Sequence, residues 1–569
     1  MQRPSQRGSA VIFSLGIVVL LGTLGSTVLL RSLNETQLGS LRSTQVGAIS
    51  TSGIEALTTT QVNALSSTGV RGLSTTQIQH FAPAVVFDTD QLMALSGAQL
   101  SAFSTTHIGA LDETRLDVLT ASQLGGLSGV KFSHLNATQV ASLTTTQLRG
   151  LSAVQLSLLS ATDMGEFGAT QIAGFTTTQM ANLAAGAVAA MSATQAAALA
   201  STQLGALSAT AFSALSETQV AGLTTTQLAG LGVTLLRTLS TTDFGELTET
   251  QIGALSSTQL GALAATHLAS LSTTQIQGLT STQVAGLTAT QLGGLSVTDF
   301  GKFSDTQVAG LSAQQLSGLS VENLFSLSDT QIEALSTTKI QGLAAWQMSA
   351  LTPTDFSRLT DTQVRALTAT QIGALSTTNF SSMDATMIRS FGTAQIKGLS
   401  AYQAWSLNAT DAGEFTATQL AALSADQIGA FSVTALTSLS TTQMAALSSS
   451  QVGAISATKF YQLSTTQIGG LSAAQVKGLT SPVLSGMSAA DFSKFSALQI
   501  AALTTGQVGA LSTTVVSALE ATQISALTTL QIPALTVTQI RSLSTTQVGY
   551  MSASQLNALT ATQVANLPT

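Results

Sequence analysis

The sequence predicts an all-α solenoid, a superhelix of short capped helices with one helix per octapeptide and about 3.4 octads per turn. Three observations predict it. An eight-residue unit repeats in register from Leu33 to Asn566. Most units carry Ser or Thr followed three residues later by Gln, a helix-start signal. The units that lack this Gln recur every 24 or 32 residues, a second and longer period.

The N-terminus comes first and is different. Arg3 and Arg7 lie in a short leader, residues 1–8. An apolar run follows and is closed by Arg31. Residues 9–31 would span roughly 33 Å as a helix, enough for a bilayer core. The basic flank predicts that the leader faces the cytoplasm and the repeats face outward. A cleaved signal peptide and a buried core helix are the competing readings.

Six octads run from Leu33 to His80 and sixty from Phe87 to Asn566. Between them sits one irregular unit, residues 81–86, containing Pro83. Within an octad numbered from its leading Leu, positions 1 and 6 are apolar and position 8 is often Ala or Gly. One continuous helix is excluded. Eight residues advance about 800°, some 80° past two turns, so the apolar stripe would spiral away from any partner.

Position 2 resolves the local structure. It is Ser or Thr in most units, and its substitutes include Asn34, Asn136, Asn408, Asp112 and Asp384, all favoured helix N-caps. Position 5 is Gln in 43 of the 66 units, which completes a capping box. Positions 1 and 6 then pair as a hydrophobic staple. Glu249, Asp305 and Asp361 at position 3 suit the positive end of a helix, and Pro353 there is harmless. Pro533, at position 7, predicts a short or distorted helix. Each octad therefore restarts a helix of about one and a half turns. Such a unit is too short to stand alone and must stack on the next turn.

The longer period sets the winding. From His107 to Val515 the non-Gln units take fifteen steps over 408 residues, or 27.2 residues per step. Phe at position 6 occurs only in these units: Phe132, Phe212, Phe244, Phe300, Phe356, Phe380, Phe460 and Phe492. This stripe is the candidate docking face, for a second copy or another protein; a packing ridge is the plainer reading. A β-solenoid is the alternative fold, but its strand ladders need a whole number of octads per coil.

The segment Gln6-Arg7-Gly8-Ser9-Ala10-Val11-Ile12, with the apolar stretch to Leu21 and then Leu24, Gly25, Arg31 and Glu35, resembles the N-terminus of type IV pilus assembly proteins of the PilX kind. The resemblance implies processing between Gly8 and Ser9. Where pilins carry a Glu five residues after the cut, this chain has Phe13. The octads also resemble repeats of large proteobacterial exoproteins loosely labelled haem-utilisation or adhesion proteins, which implies a surface role.

Composition narrows the function classes. Lys and Arg total 19, Asp and Glu 26, and the net charge is −7, with no basic face for nucleic acid. There is no cysteine, hence no disulfide, thiolate or haem-attachment motif. His80, His107, His134 and His267 are too dispersed for a compact ligand motif. Tyr402, Trp405 and Tyr461, with Trp346, form an aromatic cluster able to stack on sugars, although local packing explains such residues more often. No nucleophile–base pair, metal motif or phosphate loop is present, so neither an enzyme nor a cofactor is expected. The expectation is a membrane-anchored, extracytoplasmic repeat rod of the bacterial envelope, a surface stalk, adhesin or structural element. The alternative is a type IV pilus-associated subunit or assembly factor.

Overall fold

The computed structural model describes residues 27–569. The leader 1–8, the Gly8–Ser9 junction and the proposed anchor as far as residue 26 lie outside the described residues. The chain divides into two compact units, Met1–Gln291 and Leu292–Thr569. Both are built the same way, from helices of four to six residues with no strand among the described residues. The β-solenoid alternative is thereby overturned. The reason is local: N-caps and, in most octads, capping boxes satisfy the backbone at each helix start within the octad itself.

One octad from each unit shows the construction. In the first unit, Thr248 caps the helix Glu249–Gly253. Its hydroxyl accepts the Gln251 N–H at 3.3 Å, and the Gln251 side chain accepts the Thr248 N–H at 2.8 Å. In the second, Ser400 and Gln403 make the same reciprocal pair at 3.1 and 2.8 Å. Thr248 is extended, at φ −67° and ψ 162°. The chain bends through two extended residues, positions 1 and 2, so no described residue, glycine included, needs a positive φ. Position 6 plugs the interior, with Ile252 and Leu420 fully buried.

Two irregularities follow their prolines. Residues 81–86 form a non-helical turn whose neighbours Phe81, Phe87 and Phe103 pack edge to face. Pro533 reduces its octad to a single 3₁₀ turn, Ile532–Ala534.

Glycines set how closely turns approach. A Cβ at Gly150 would collide with the Ala121 backbone, one at Gly398 with Ala369 and one at Gly478 with Ser449. Likewise Gly261 meets the Gly286 carbonyl and Gly373 that of Gly398. These contacts join residues 25 or 29 apart, and only a residue without a side chain fits them.

This geometry separates two glycines that sequence alone would treat alike. Gly150→Ala is expected to destabilise its turn by about 1–3 kcal/mol, through overpacking against backbone. Gly165, in the helix Ala161–Glu166, faces open space, and Gly165→Ala should stabilise by about 0.5–1 kcal/mol. Hydrogen exchange of the surrounding amides reads each effect locally. Equal responses at the two sites would refute the close approach.

Candidate functional site

The most repeated chemical group in the structure is the position-5 side chain. Its oxygen caps its own helix, and its nitrogen reaches the preceding turn. Gln251 Nε2 donates to the carbonyls of Val220 at 2.8 Å and Leu223 at 2.9 Å. Gln403 does the same with Ile372 at 2.8 Å and Leu375 at 2.9 Å. The partners lie 31 and 28 residues back, so a turn holds between three and four octads. Gln347 is fully buried, so its polar atoms have no solvent alternative.

Where Gln is replaced, one set of substitutes keeps the donor. Asn323 Nδ2 reaches Leu292 and Leu295, at 3.3 and 2.9 Å. Arg115 Nε donates to Phe87 at 2.9 Å, and Lys459 Nζ to Gly429 at 2.7 Å. His267 Nε2 lies 2.8 Å from the Leu239 carbonyl. Asn is one methylene shorter than Gln, and it leaves its oxygen unsatisfied at both Asn323 and Asn379.

Asp reverses the polarity of the joint, in two ways. In one group a cation follows at position 8 and takes over the donor role. Lys494 Nζ lies 3.1 Å from Asp491 and donates to the Leu463 carbonyl at 3.3 Å. Lys302 pairs with Asp299 at 2.9 Å, and Arg358 sits 3.8 Å from Asp355. In the other group position 8 is Glu, and a serine of the preceding turn donates to the Asp instead. Ser133 reaches Asp163 at 3.0 Å, Ser213 reaches Asp243 at 2.8 Å and Ser381 reaches Asp411 at 3.0 Å.

The position-8 glutamates are pushed up, whereas Asp243 and the cation-paired Asp299 and Asp491 are held low. Burial, then the charge of Asp163, pushes the Glu166 carboxyl up. Burial, then Asp243 and Glu217, does so at Glu246. Burial, then Asp411 and Asp384, does so at Glu414, against a small opposing effect of Arg389. Asp299 is held low, first by the Ser296 hydroxyl and then by Lys302. At Asp491 burial opposes, but Ser488 and Lys494 outweigh it and lower the carboxyl.

The Phe stripe is not a docking face. Phe132, Phe212, Phe244, Phe300, Phe356, Phe380, Phe460 and Phe492 are all buried, and Phe244 and Phe460 completely so. Position 6 is buried in every described octad from Leu38 to Ile540 and becomes exposed only at the C-terminal end, at Leu556 and Val564, so within the array a larger residue there fills more interior and adds no surface. Phe132 stacks on Phe167, Phe380 on Phe415 and Phe460 on Phe495. Two octads after each stripe Phe stands a glycine at position 7 or 8: Gly150, Gly230, Gly261, Gly318, Gly373, Gly398, Gly478 and Gly509. Sixteen residues are just over half of a 28-residue turn, so bulk on one side of a turn faces small residues on the other. This regularity was present in the sequence, as an offset between two residue types at different octad positions.

The histidines are occupied singly. His80 Nδ1 lies 2.6 Å from Glu55, His107 bridges Ser104 and the Ala82 carbonyl, and His134 Nδ1 lies 2.7 Å from the Val130 carbonyl. No three metal-ligating groups converge among the described residues. The aromatic cluster separates. Tyr461 is half-buried against the next turn, its hydroxyl donating to the Val483 carbonyl at 2.8 Å, whereas Tyr402, Trp405 and Trp346 remain exposed.

Comparison with known proteins returns a repeat. A family described as the ALTTAQ repeat matches residues 500–537. That stretch holds Ala502-Leu-Thr-Thr-Gly-Gln507 and Ala526-Leu-Thr-Thr-Leu-Gln531, both octad junctions; the first closes a full capping box, and the second keeps only the Thr528 N–H to Gln531 bond. No curated protein matches. Among solved structures, a homology model of the full-length AP-3 complex in an intermediate open conformation aligns at 11% identity over 98% of this chain and 95% of that one. Its TM-score is 0.17, too low to bear on the fold.

Two outcomes follow from the position-5 chemistry. Gln347→Met keeps the volume and strands the Leu316 and Leu319 carbonyls and the Ala344 N–H. It should cost about 3 kcal/mol locally, seen as faster amide exchange around residues 316–347; wild-type protection there would contradict the joint. Replacing Glu166, Glu246 and Glu414 by Gln should raise the melting temperature at pH 7. A raised folded pKa gives stability that is present in full below the ordinary Glu value of 4.5 and is lost as pH rises through the raised value. The advantage of the variant should therefore shrink toward zero near pH 4. A constant difference across that window would argue against the repulsion.

Proposed function

We propose that this chain is a repeat-built structural protein of the bacterial envelope, a membrane-anchored stalk or adhesin that carries its octads on the extracytoplasmic side. The observation that supports it most is the use of position 5. From Gln61 to Gln563 the most abundant polar interior group is engaged in joining turns. Two apolar gaps among the described residues, one beside His107 and one beside Gln347, are each about the size of a water molecule. This is the organisation of an array that extends by nearest-neighbour stacking.

The finer architecture belongs to the same proposal: a superhelix of about 3.4 octads per turn behind a transmembrane helix at residues 9–31. The anchor rests on sequence, on Arg3, Arg7 and the apolar run that follows. Among the described residues no helix is long and apolar enough to cross a membrane. The resemblance of Gln6–Ile12 to pilus assembly proteins favours a second reading, a subunit displayed on a filament.

Immunoblotting of washed membranes against sheared surface filaments, with N-terminal sequencing of each band, tests both readings. A membrane band beginning at Met1 is expected for the anchored stalk. A sheared band beginning at Ser9 would transfer the array to a filament. Recovery only in the soluble cytoplasmic fraction would overturn both.

A further inference from the structure

We propose that Tyr402 and Trp405 form a carbohydrate-binding platform that takes the apolar face of a neutral sugar ring. The sequence holds two tryptophans in 569 residues, and neither is interior. Trp405 is 58% exposed and Tyr402 67%. Large aromatic residues are mostly buried in folded proteins, so an exposed pair calls for an explanation.

The pair is built on one helix, Ala401–Ser406, at octad positions 4 and 7. Gln403 and Ala404 between them are buried, so the two rings project from the outer face. Their centroids are 5.8 Å apart and their planes differ by 25°, so the rings stack on each other and leave the outer face and edges of the stack to solvent. Ordinary octads hold Thr, Ser, Ala or Gly at these positions, so the fold does not require the rings. Beside the pair, Ala401 walls an open cleft with Lys397, Ser424 and Asp426. These supply donors and acceptors in a cleft that shares the helix Ala401–Ser406 with the aromatic pair.

Size and charge select the occupant. Two such side chains present about 150–250 Å² each when fully exposed, so this pair offers roughly 250 Å². A stable protein interface needs about 800 Å² per partner. One or two sugar rings match the smaller figure. A pyranose places C–H bonds on one face and hydroxyls around its rim, which fits the exposed face of an aromatic stack on a polar helix surface. The cleft beside Ala401 carries one cation, Lys397, and one anion, Asp426, and so has no net charge to select an ionic ligand. Binding in solution does not depend on where the chain resides, so this inference stands or fails separately from the envelope assignment.

The test uses the full chain carrying Trp346→Phe, so that Trp405 is the sole emitter. Cellohexaose, N-acetylchitohexaose and a soluble mannan are titrated while tryptophan emission is followed. Tyr402→Thr and Trp405→Ala install residues that other octads hold, and circular dichroism confirms that folding is kept. A saturable emission shift with at least one probe is expected, weakened about tenfold or more by Tyr402→Thr. Trp405→Ala should abolish retention of the same probe in affinity electrophoresis. No saturable shift with any of the three, or equal affinity in Tyr402→Thr, would overturn the proposal.

Discussion

The structure depends on one side chain acting at both of its ends. A helix of five residues has too few internal hydrogen bonds to persist alone. The position-5 carboxamide addresses both deficits. Its oxygen satisfies a free N–H at the start of its own helix, and its nitrogen satisfies carbonyls at the bend of the turn before. Local order and stacking are therefore coupled through one residue. Gln suits this role because its amide carries an acceptor and a donor about 2.2 Å apart on a stem of two methylenes. The replacements test the rule from within the chain. Asn323 keeps the stacking bonds and loses the cap, whereas Asp243 keeps the cap and needs Ser213 to supply the stacking bond.

A second constraint is volume within a turn. Bulk and close approach alternate across it: Phe132 is followed two octads later by Gly150, and Phe460 by Gly478. Exchanging the two residue types would leave a void on one side and a backbone collision on the other. The non-Gln units fall on the Phe side, where position 5 also varies most. The carboxylate pairs Asp163/Glu166, Asp243/Glu246 and Asp411/Glu414 lie in that same sector, as do the cation-paired Asp299, Asp355 and Asp491.

Much of the helix architecture was legible in the residues. Ser/Thr-x-x-Gln marks the helix starts, the periodicity excludes a continuous helix, and Pro533 marks its own distortion. The inter-turn role of Gln251 was not legible, because the capping box already accounts for a Gln there and its Nε2 partners lie 28 to 31 residues away. The Phe stripe was misread for a geometric reason. A period of 27.2 residues assigns residues to one sector of the turn, but it does not distinguish the inside of that sector from the outside. Position 6 distinguishes them, and it is buried from Leu38 to Ile540. Tyr461 and Tyr402 illustrate the same limit: similar residues in one aromatic cluster, one packed and one exposed.

The central claim is that position-5 carboxamides join consecutive turns. Hydrogen exchange of Gln side-chain amides, followed by NMR on protein labelled with ¹⁵N only in Gln, tests it most directly. The position-5 groups, Gln251, Gln347 and Gln403 among them, should be protected by about two orders of magnitude or more relative to the exposed Gln79, Gln277 and Gln462. Exchange at a common rate for both sets would contradict the account, because the joints it relies on would then be open to water.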